Sequence, residues 1–206
     1  MTKLPYPFET TKTGENKLGD IRTLPDKDLV ALIIQSGNTS LFGELYDRYA
    51  NKIYRKCISM VKNTEDAQDL AHEVLVKAFL NISKFAGNSS FSTWVYAITY
   101  NQCIDFIRGK QRLKFSDTDN ERLPDLSDES GEELSDKELF EIEINLLMQL
   151  LQQLNADDRA ILLMKYQDDM SIEDIQTILN LNSSAVKMRL KRARDRLRIM
   201  YLSHKA

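Results

Sequence analysis

The chain has 206 residues, 42% of them hydrophobic, with 28 Lys and Arg set against 31 Asp and Glu for a formal net charge of -3. With only 7 glycines and 4 prolines it is neither collagenous nor a low-complexity chain, and its length suffices for one large or two small cores. Its longest uninterrupted apolar run, Leu29 to Ile34, falls far short of the ~18 residues of a membrane span, and no basic segment followed by an apolar one opens the chain.

Cys57 and Cys103 lie far apart and form no CxxC pair, which excludes a disulfide scaffold and a zinc ribbon and suits a reducing compartment. A soluble, cytoplasmic protein without membrane insertion is expected. Residues 1–25 hold three of the four prolines and no periodicity, which predicts a mobile tail. Helical order should begin near Asp26. From Leu41 to Val61 apolar residues recur at Leu41, Leu45, Tyr49, Ile53, Cys57 and Val61, a four-residue step fitting one face of a long helix.

Asn63 or Thr64 can cap the next helix, with Glu65 and Asp66 in its first turn near the positive end of the dipole. It should run to about Lys84 with Ala67, Leu70, Ala71, Val74, Leu75, Ala78 and Ile82 inward, which turns Asp66, Asp69 and Glu73 outward as an acidic ridge. Gly87-Asn88-Ser89-Ser90 is a turn cluster, and helical spacing resumes from Phe91 to Arg108. At 100° per residue Trp94, Ile98, Asn101, Asp105 and Arg108 share one face, and Tyr96, Tyr100, Cys103 and Ile107 the other. Trp94 and Ile98 suit a core as well as a binding surface, and Asp105 and Arg108, three apart, can pair with each other. Asn101, whose amide both donates and accepts, is the better candidate for a base contact.

Charge divides the remainder. Residues 111–140 carry ten acids and four bases, a net of minus six, whereas 182–206 carry eight bases and one acid, a net of plus seven. The acidic stretch, with Pro124, Gly131 and little apolar content, predicts a flexible linker over 111–136. Beyond it Phe140, Ile144, Leu147, Leu151 and Leu154 mark one helix, and Asn155, Asp157 and Asp158 open a second. Ser171 with Asp174 resembles a capping box, Asn180 suits a helix end, and Asn182 can cap a last helix with the apolar stripe Val186, Leu190, Ala193 and Leu197. Short helix, turn and second helix form a helix-turn-helix signal, with Ser183, Ser184, Lys187, Met188, Lys191 and Arg192 on or beside its free face and Arg189, Arg194, Arg196 and Arg198 suited to phosphates. The fold class is therefore all-α, two helical domains joined by an acidic linker, the C-terminal one a helix-turn-helix that binds DNA.

Four ordered stretches carry a family likeness: Leu41-Phe-Gly-Glu-Leu-Tyr-Asp-Arg-Tyr49; Asp66-Ala-Gln-Asp-Leu-Ala-His-Glu-Val74; Phe91-Ser-Thr-Trp-Val-Tyr-Ala-Ile98 continuing to Arg108; and Ser171-Ile-Glu-Asp-Ile175 followed by Ser183-Ser-Ala-Val-Lys-Met-Arg-Leu-Lys-Arg192. In this order they resemble the sigma-70 superfamily of bacterial transcription initiation factors, in the small extracytoplasmic-function (ECF) group. His72, Asn155-Ala156 and Gln176 depart from the usual Gln, Leu-Pro and Ala.

The resemblance implies a sigma region 2 domain over 26–110 and a region 4 domain over 137–206. It implies that Asp66, Asp69 and Glu73 bind core RNA polymerase, and that Phe91, Trp94, Tyr96, Asn101, Asp105 and Arg108 form the minus-ten and melting surface. It assigns Ser183, Ser184, Lys187, Met188, Arg189, Lys191 and Arg192 to the minus-thirty-five element of promoter DNA. An anti-sigma factor is a further partner it implies. A stand-alone helix-turn-helix regulator is the alternative; an enzyme is disfavoured, because no P-loop, metal-ligand spacing or carboxylate pair with an accompanying base occurs, and no metal or cofactor is expected.

Overall fold

The computed structural model describes residues 21–114 and 136–205, which leaves residues 1–20 of the expected tail and most of the expected linker outside the described residues. Residues 21–25, expected in the mobile tail, are instead ordered: Ile21–Thr23 form a 3-10 turn, and Arg48 donates to the carbonyls of Ile21, Arg22 and Leu24. The chain forms helices α1 (Asp26–Ser36), α2 (Phe42–Val61), α3 (Thr64–Asn81) and α4 (Phe91–Lys114) in a first lobe, and α5 (Asp136–Gln153), α6 (Ala156–Leu162), α7 (Ile172–Leu179) and α8 (Ser183–Lys205) in a second.

Helix α1 buries Leu29, Val30 and Ile33 and stops at Gly37, whose φ of 65° lets its N–H reach the Ile33 carbonyl. In α2 the central residues of the four-residue stripe, Leu45, Tyr49, Ile53 and Cys57, are buried, but Leu41 and Val61 at its ends are only half-buried. A four-residue step overshoots the helical turn by about 40° each time, so the stripe's ends rotate off the core face. The Asn63 side chain accepts from the Asp66 N–H at 2.9 Å to cap α3, and all seven predicted inward residues of this helix and its exit are buried. The last three expected α3 residues, Ile82–Lys84, form a 3-10 turn instead.

Gly87, at φ 72°, turns the chain, and Ser90 accepts from the Thr93 N–H at 3.0 Å to start α4. This helix continues through Lys114, so residues 111–114, assigned above to the linker, are helical. Remote in sequence, Cys57 and Cys103 meet inside the lobe between α2 and α4; the hydrogen bond between the two sulfurs, and after it burial, push the Cys103 thiol far above its ordinary range.

In the second lobe each predicted cap is formed. Asn155 accepts from the Asp158 N–H (2.9 Å), Ser171 from Asp174 (3.0 Å) and Asn182 from Ala185 (2.8 Å), and Asn180 takes the left-handed φ of 51° that ends α7. Asn155 thus opens α6 through its side chain where the family's usual Leu-Pro has no such acceptor. After Leu162 the backbone widens into a π turn over Leu163–Gln167 that carries the chain to Asp168. The expected α5 stripe is only partly inward: Leu154 is buried and Leu151 half-buried, whereas Ile144 and Leu147 are exposed, and Leu150, outside the expected stripe, is buried instead.

One hydrophobic cluster runs through both lobes, from Leu29 to Ala193, because α6 and α7 pack against α4. Arg159 of α6, 5% exposed, binds the lobes and its own turn together. Its guanidinium donates to the carbonyls of Leu151 (3.0 Å), Leu154 (3.2 Å) and Gln152, and across the lobe boundary to that of Met60 (2.6 Å).

Candidate nucleic-acid and polymerase interfaces

Helix α8 buries Val186, Leu190 and Ala193 against α6 and α7 and half-buries Leu197, so the predicted stripe faces inward. Ser184, Lys187, Met188, Lys191 and Arg192 are exposed, with Ser183 and Arg189 half-exposed beside them. The Asn182 cap leaves the first turn of α8 at the surface, with small hydroxyls at its start and cations along the next two turns. A base edge and its flanking phosphates require that arrangement in a major groove. Behind this face Arg108, Arg189, Arg192 and Arg196 line a cleft of about 460 Å³ with Asp157 and Asp158. Asp158 is buried and paired with Arg196, and Asp157 receives Arg189 at 3.6 Å.

The α4 residues divide by depth. Phe91 is 4% exposed and sits in an aromatic cluster, with ring centroids 5.2 Å from Tyr49, 5.8 Å from Phe85 and 5.6 Å from Trp94. Trp94 is half-buried at the rim of that cluster, so it is both packing and surface. Tyr96 is half-buried beneath Lys56, whose Nζ lies 4.2 Å from the ring centroid. Asn101, Asp105 and Arg108 all point outward. The Asp105–Arg108 pair is long, 4.0 Å, and Arg108 instead donates to Asp157 of α6 at 2.6 Å.

The acidic ridge of α3 is outward but not bare. Lys110 reaches Asp66 at 2.6 Å, Gln102 donates to Glu73 at 2.9 Å, and Asp69 projects into solvent between them. Helix α4 thereby sets the ridge's edges.

Sequence reasoning missed a polar node at the lobe boundary. Asp168, after the π turn, accepts from Tyr100 OH (2.5 Å) and pairs with Lys56 Nζ (2.5 Å), while Thr93 Oγ1 donates to Asp174 (2.9 Å). Burial first, then the Asp168 carboxylate, raises the Tyr100 phenol well above its usual range. The only sequence signal was Lys56 lying next to Cys57 at the edge of an apolar stripe. Among the described residues no group of His, Cys, Asp and Glu could hold a metal ion, and no helix is long and apolar enough to cross a membrane.

Residues 45–113 match the family described as Sigma-70 region 2, and residues 144–197 match Sigma-70, region 4. Over 170 residues, 80% of this chain and 91% of the relative, the sequence is 33% identical to the ECF RNA polymerase sigma factor SigW of Bacillus subtilis. It is 30% identical to the RNA polymerase sigma-H factor of Pseudomonas aeruginosa over 82% of this chain and 90% of that one. Two solved structures share the fold at 21% identity: CnrH in complex with the cytosolic domain of CnrY (TM-score 0.61, 86% of this chain, 97% of that one), and RpoE in complex with the anti-sigma factor NepR from Bartonella quintana (TM-score 0.56, 78% and 96%). The helix-turn-helix with its basic outer face, the acidic ridge and both family matches agree: the chain belongs to the extracytoplasmic-function group of the sigma-70 family, the transcription initiation factors that direct RNA polymerase to promoters.

Proposed function

We propose that three surfaces divide the work of initiation. The α3 ridge, Asp66, Asp69 and Glu73, docks on a basic surface of core RNA polymerase. Trp94, Tyr96, Asn101, Asp105 and Arg108, with the 87–90 loop, engage the minus-ten element, Asn101 by amide hydrogen bonds to an unstacked base and the aromatic rim by stacking. Phe91 supports that surface from beneath. On α8, Ser183, Ser184, Lys187, Met188 and Lys191 meet base edges of the minus-thirty-five element, and Arg189 and Arg192 its phosphates.

The observation that carries this reading is the exposed polar face of α8 behind a fully capped turn. A solvated helix would serve with charges alone; the two hydroxyls at its N-terminal end next to Lys187 and Met188 suit base readout. The chain acts by binding energy rather than by covalent chemistry, and it acts in the cytoplasm, where polymerase and DNA are. Because the RpoE structure holds an anti-sigma factor, a protein inhibitor of that kind is a further partner of this chain.

The test is transcription from a cognate promoter by holoenzyme reconstituted with this chain. Lys187→Ala and Arg192→Ala should each weaken upstream-element binding by about 1 to 3 kcal/mol, roughly 5- to 150-fold, with core polymerase binding retained. Parental transcription by the double variant would remove the reading role from α8.

A further inference from the structure

The cleft behind the α8 reading face holds more positive charge than its own carboxylates neutralise. Arg189, Arg192 and Arg196 follow one another at three- and four-residue steps, which puts them on one side of α8. Arg108 of α4 completes the cationic lining of the same recess, about 460 Å³, and Asp157 and Asp158 of α6 are its acids. Asp158, 4% exposed, is engaged by Arg196 and by the Asn155 amide, which donates to it at 2.8 Å. Asp157 is divided between two cations. Arg108 donates to one of its oxygens at 2.6 Å, and Arg189 stands 3.6 Å from the other, beyond hydrogen-bond reach. Arg192 pairs with no carboxylate among the described residues.

Four cations less two carboxylates leave a net charge of plus two, with the donors of Arg189 and Arg192 turned to no acceptor among the described residues. A single phosphate monoester carries about -1.5 to -2 at pH 7, and the planar guanidinium fork addresses its oxygens in pairs. Size and polarity narrow the ligand further. The recess lies within the range of about 300 to 1,000 Å³ found for small-molecule sites, whereas a DNA duplex is too wide to enter it and meets only its rim. Beside the arginines the wall is apolar: Leu181 and Ala185 are half-buried, and Met188 is exposed, a soft side chain suited to the face or edge of a flat ring.

We propose that this cleft is a binding site for a free nucleotide. Its phosphate dianion is held by Arg189 and Arg192 with Arg108 beside them, and its base lies on Met188 and Leu181. Met188, Arg189 and Arg192 are also assigned above to the minus-thirty-five element. A bound nucleotide and that element therefore exclude each other, a consequence that rests on that assignment, whereas the site itself does not.

The experiment is calorimetric titration of the full chain at constant ionic strength, with adenosine 5′-monophosphate (AMP), adenosine and inorganic phosphate as probes. AMP should bind saturably, inorganic phosphate about tenfold more weakly for want of the base contacts, and adenosine without saturation. Arg192→Gln, which breaks no ion pair among the described residues, should weaken AMP about tenfold or more. Asp157→Asn removes the competing carboxylate and should tighten AMP about fivefold, a direction that loss of structure does not produce. Circular dichroism establishes that both variants are folded. Inorganic phosphate or adenosine bound as tightly as AMP overturns the nucleotide, and parental affinity in Arg192→Gln or weakened binding in Asp157→Asn overturns the site. A duplex carrying the cognate minus-thirty-five element is then titrated onto the full chain with and without saturating AMP. Displacement of the duplex supports the exclusion. A duplex bound equally well in both states overturns the exclusion and leaves the site to the calorimetry, so the two readings fail separately.

Discussion

Replacing Arg159 by Met keeps most of the side-chain volume and deletes only the guanidinium, which isolates its hydrogen bonds. Four carbonyls lose a charged donor: those of Leu151 and Gln152 at the last turn of α5, Leu154 just beyond it, and Met60 in the other lobe. The Leu154 and Met60 bonds are buried and the other two partly so, which makes two acceptors costly to leave unpaired, at about 1 to 3 kcal/mol each. Against this stands the recovered cost of burying the cation, visible in the Arg159 pKa, which burial lowers from its ordinary value. The balance is a loss of about 3 kcal/mol, or about 6 to 12 °C in Tm for a chain of this size. Arg159→Lys should recover less than half, since one ammonium on a flexible stem cannot address carbonyls arranged around a planar fork. The assay is urea unfolding followed at 222 nm, with equal m-values required for the comparison. An Arg159→Met midpoint within about 0.5 kcal/mol of the parent would show that water serves these carbonyls as well as the guanidinium does.

Asp69→Arg with Glu73→Arg should leave helicity unchanged, since both residues point away from the buried stripe, yet abolish retention by immobilised core polymerase through like-charge repulsion; undiminished retention would detach the ridge from that role. Asn101→Ala should cost little stability, because the residue is exposed, and should lower permanganate reactivity of downstream thymines on a linear promoter while a pre-melted bubble recovers part of the signal. Early unfolding in urea with all activities reduced together would make this face core instead. Burial foremost raises the phenols of Tyr49, Tyr96 and Tyr100 from their ordinary 10.0, so the folded chain keeps protons that the unfolded chain sheds. Stability should therefore hold below about pH 10 and fall as pH rises beyond it, and tyrosinate absorbance at 295 nm should lag behind that of the urea-unfolded chain. Coincident titration curves would contradict the burial argument.

Local signals in the chain settled much of this molecule. The α3 stripe, the Asn63, Asn155, Ser171 and Asn182 caps and the left-handed Asn180 depend on residues three or four apart, whose meeting the helix itself guarantees. The exposed face of α8 follows from the same periodicity, which is why its basic character was legible before any tertiary contact was known. Where two elements compete for a residue, periodicity has no answer. Phe91 opens α4 with the same spacing whether it faces DNA or Phe85, and its burial was decided by the aromatic cluster closing over it. The ridge was legible as acidic and outward, but Lys110 and Gln102 reach it only because α4 lies alongside α3. Asp157 read as an ordinary first-turn acid, and Lys56 drew no reading. Their roles come from docking α6 and α7 on α4, which joins Lys56 to Asp168 and Arg108 to Asp157 across long stretches of chain. Such pairings carry no sequence period, because their distance is set by how two separately encoded lobes pack, and only the tertiary structure decides them.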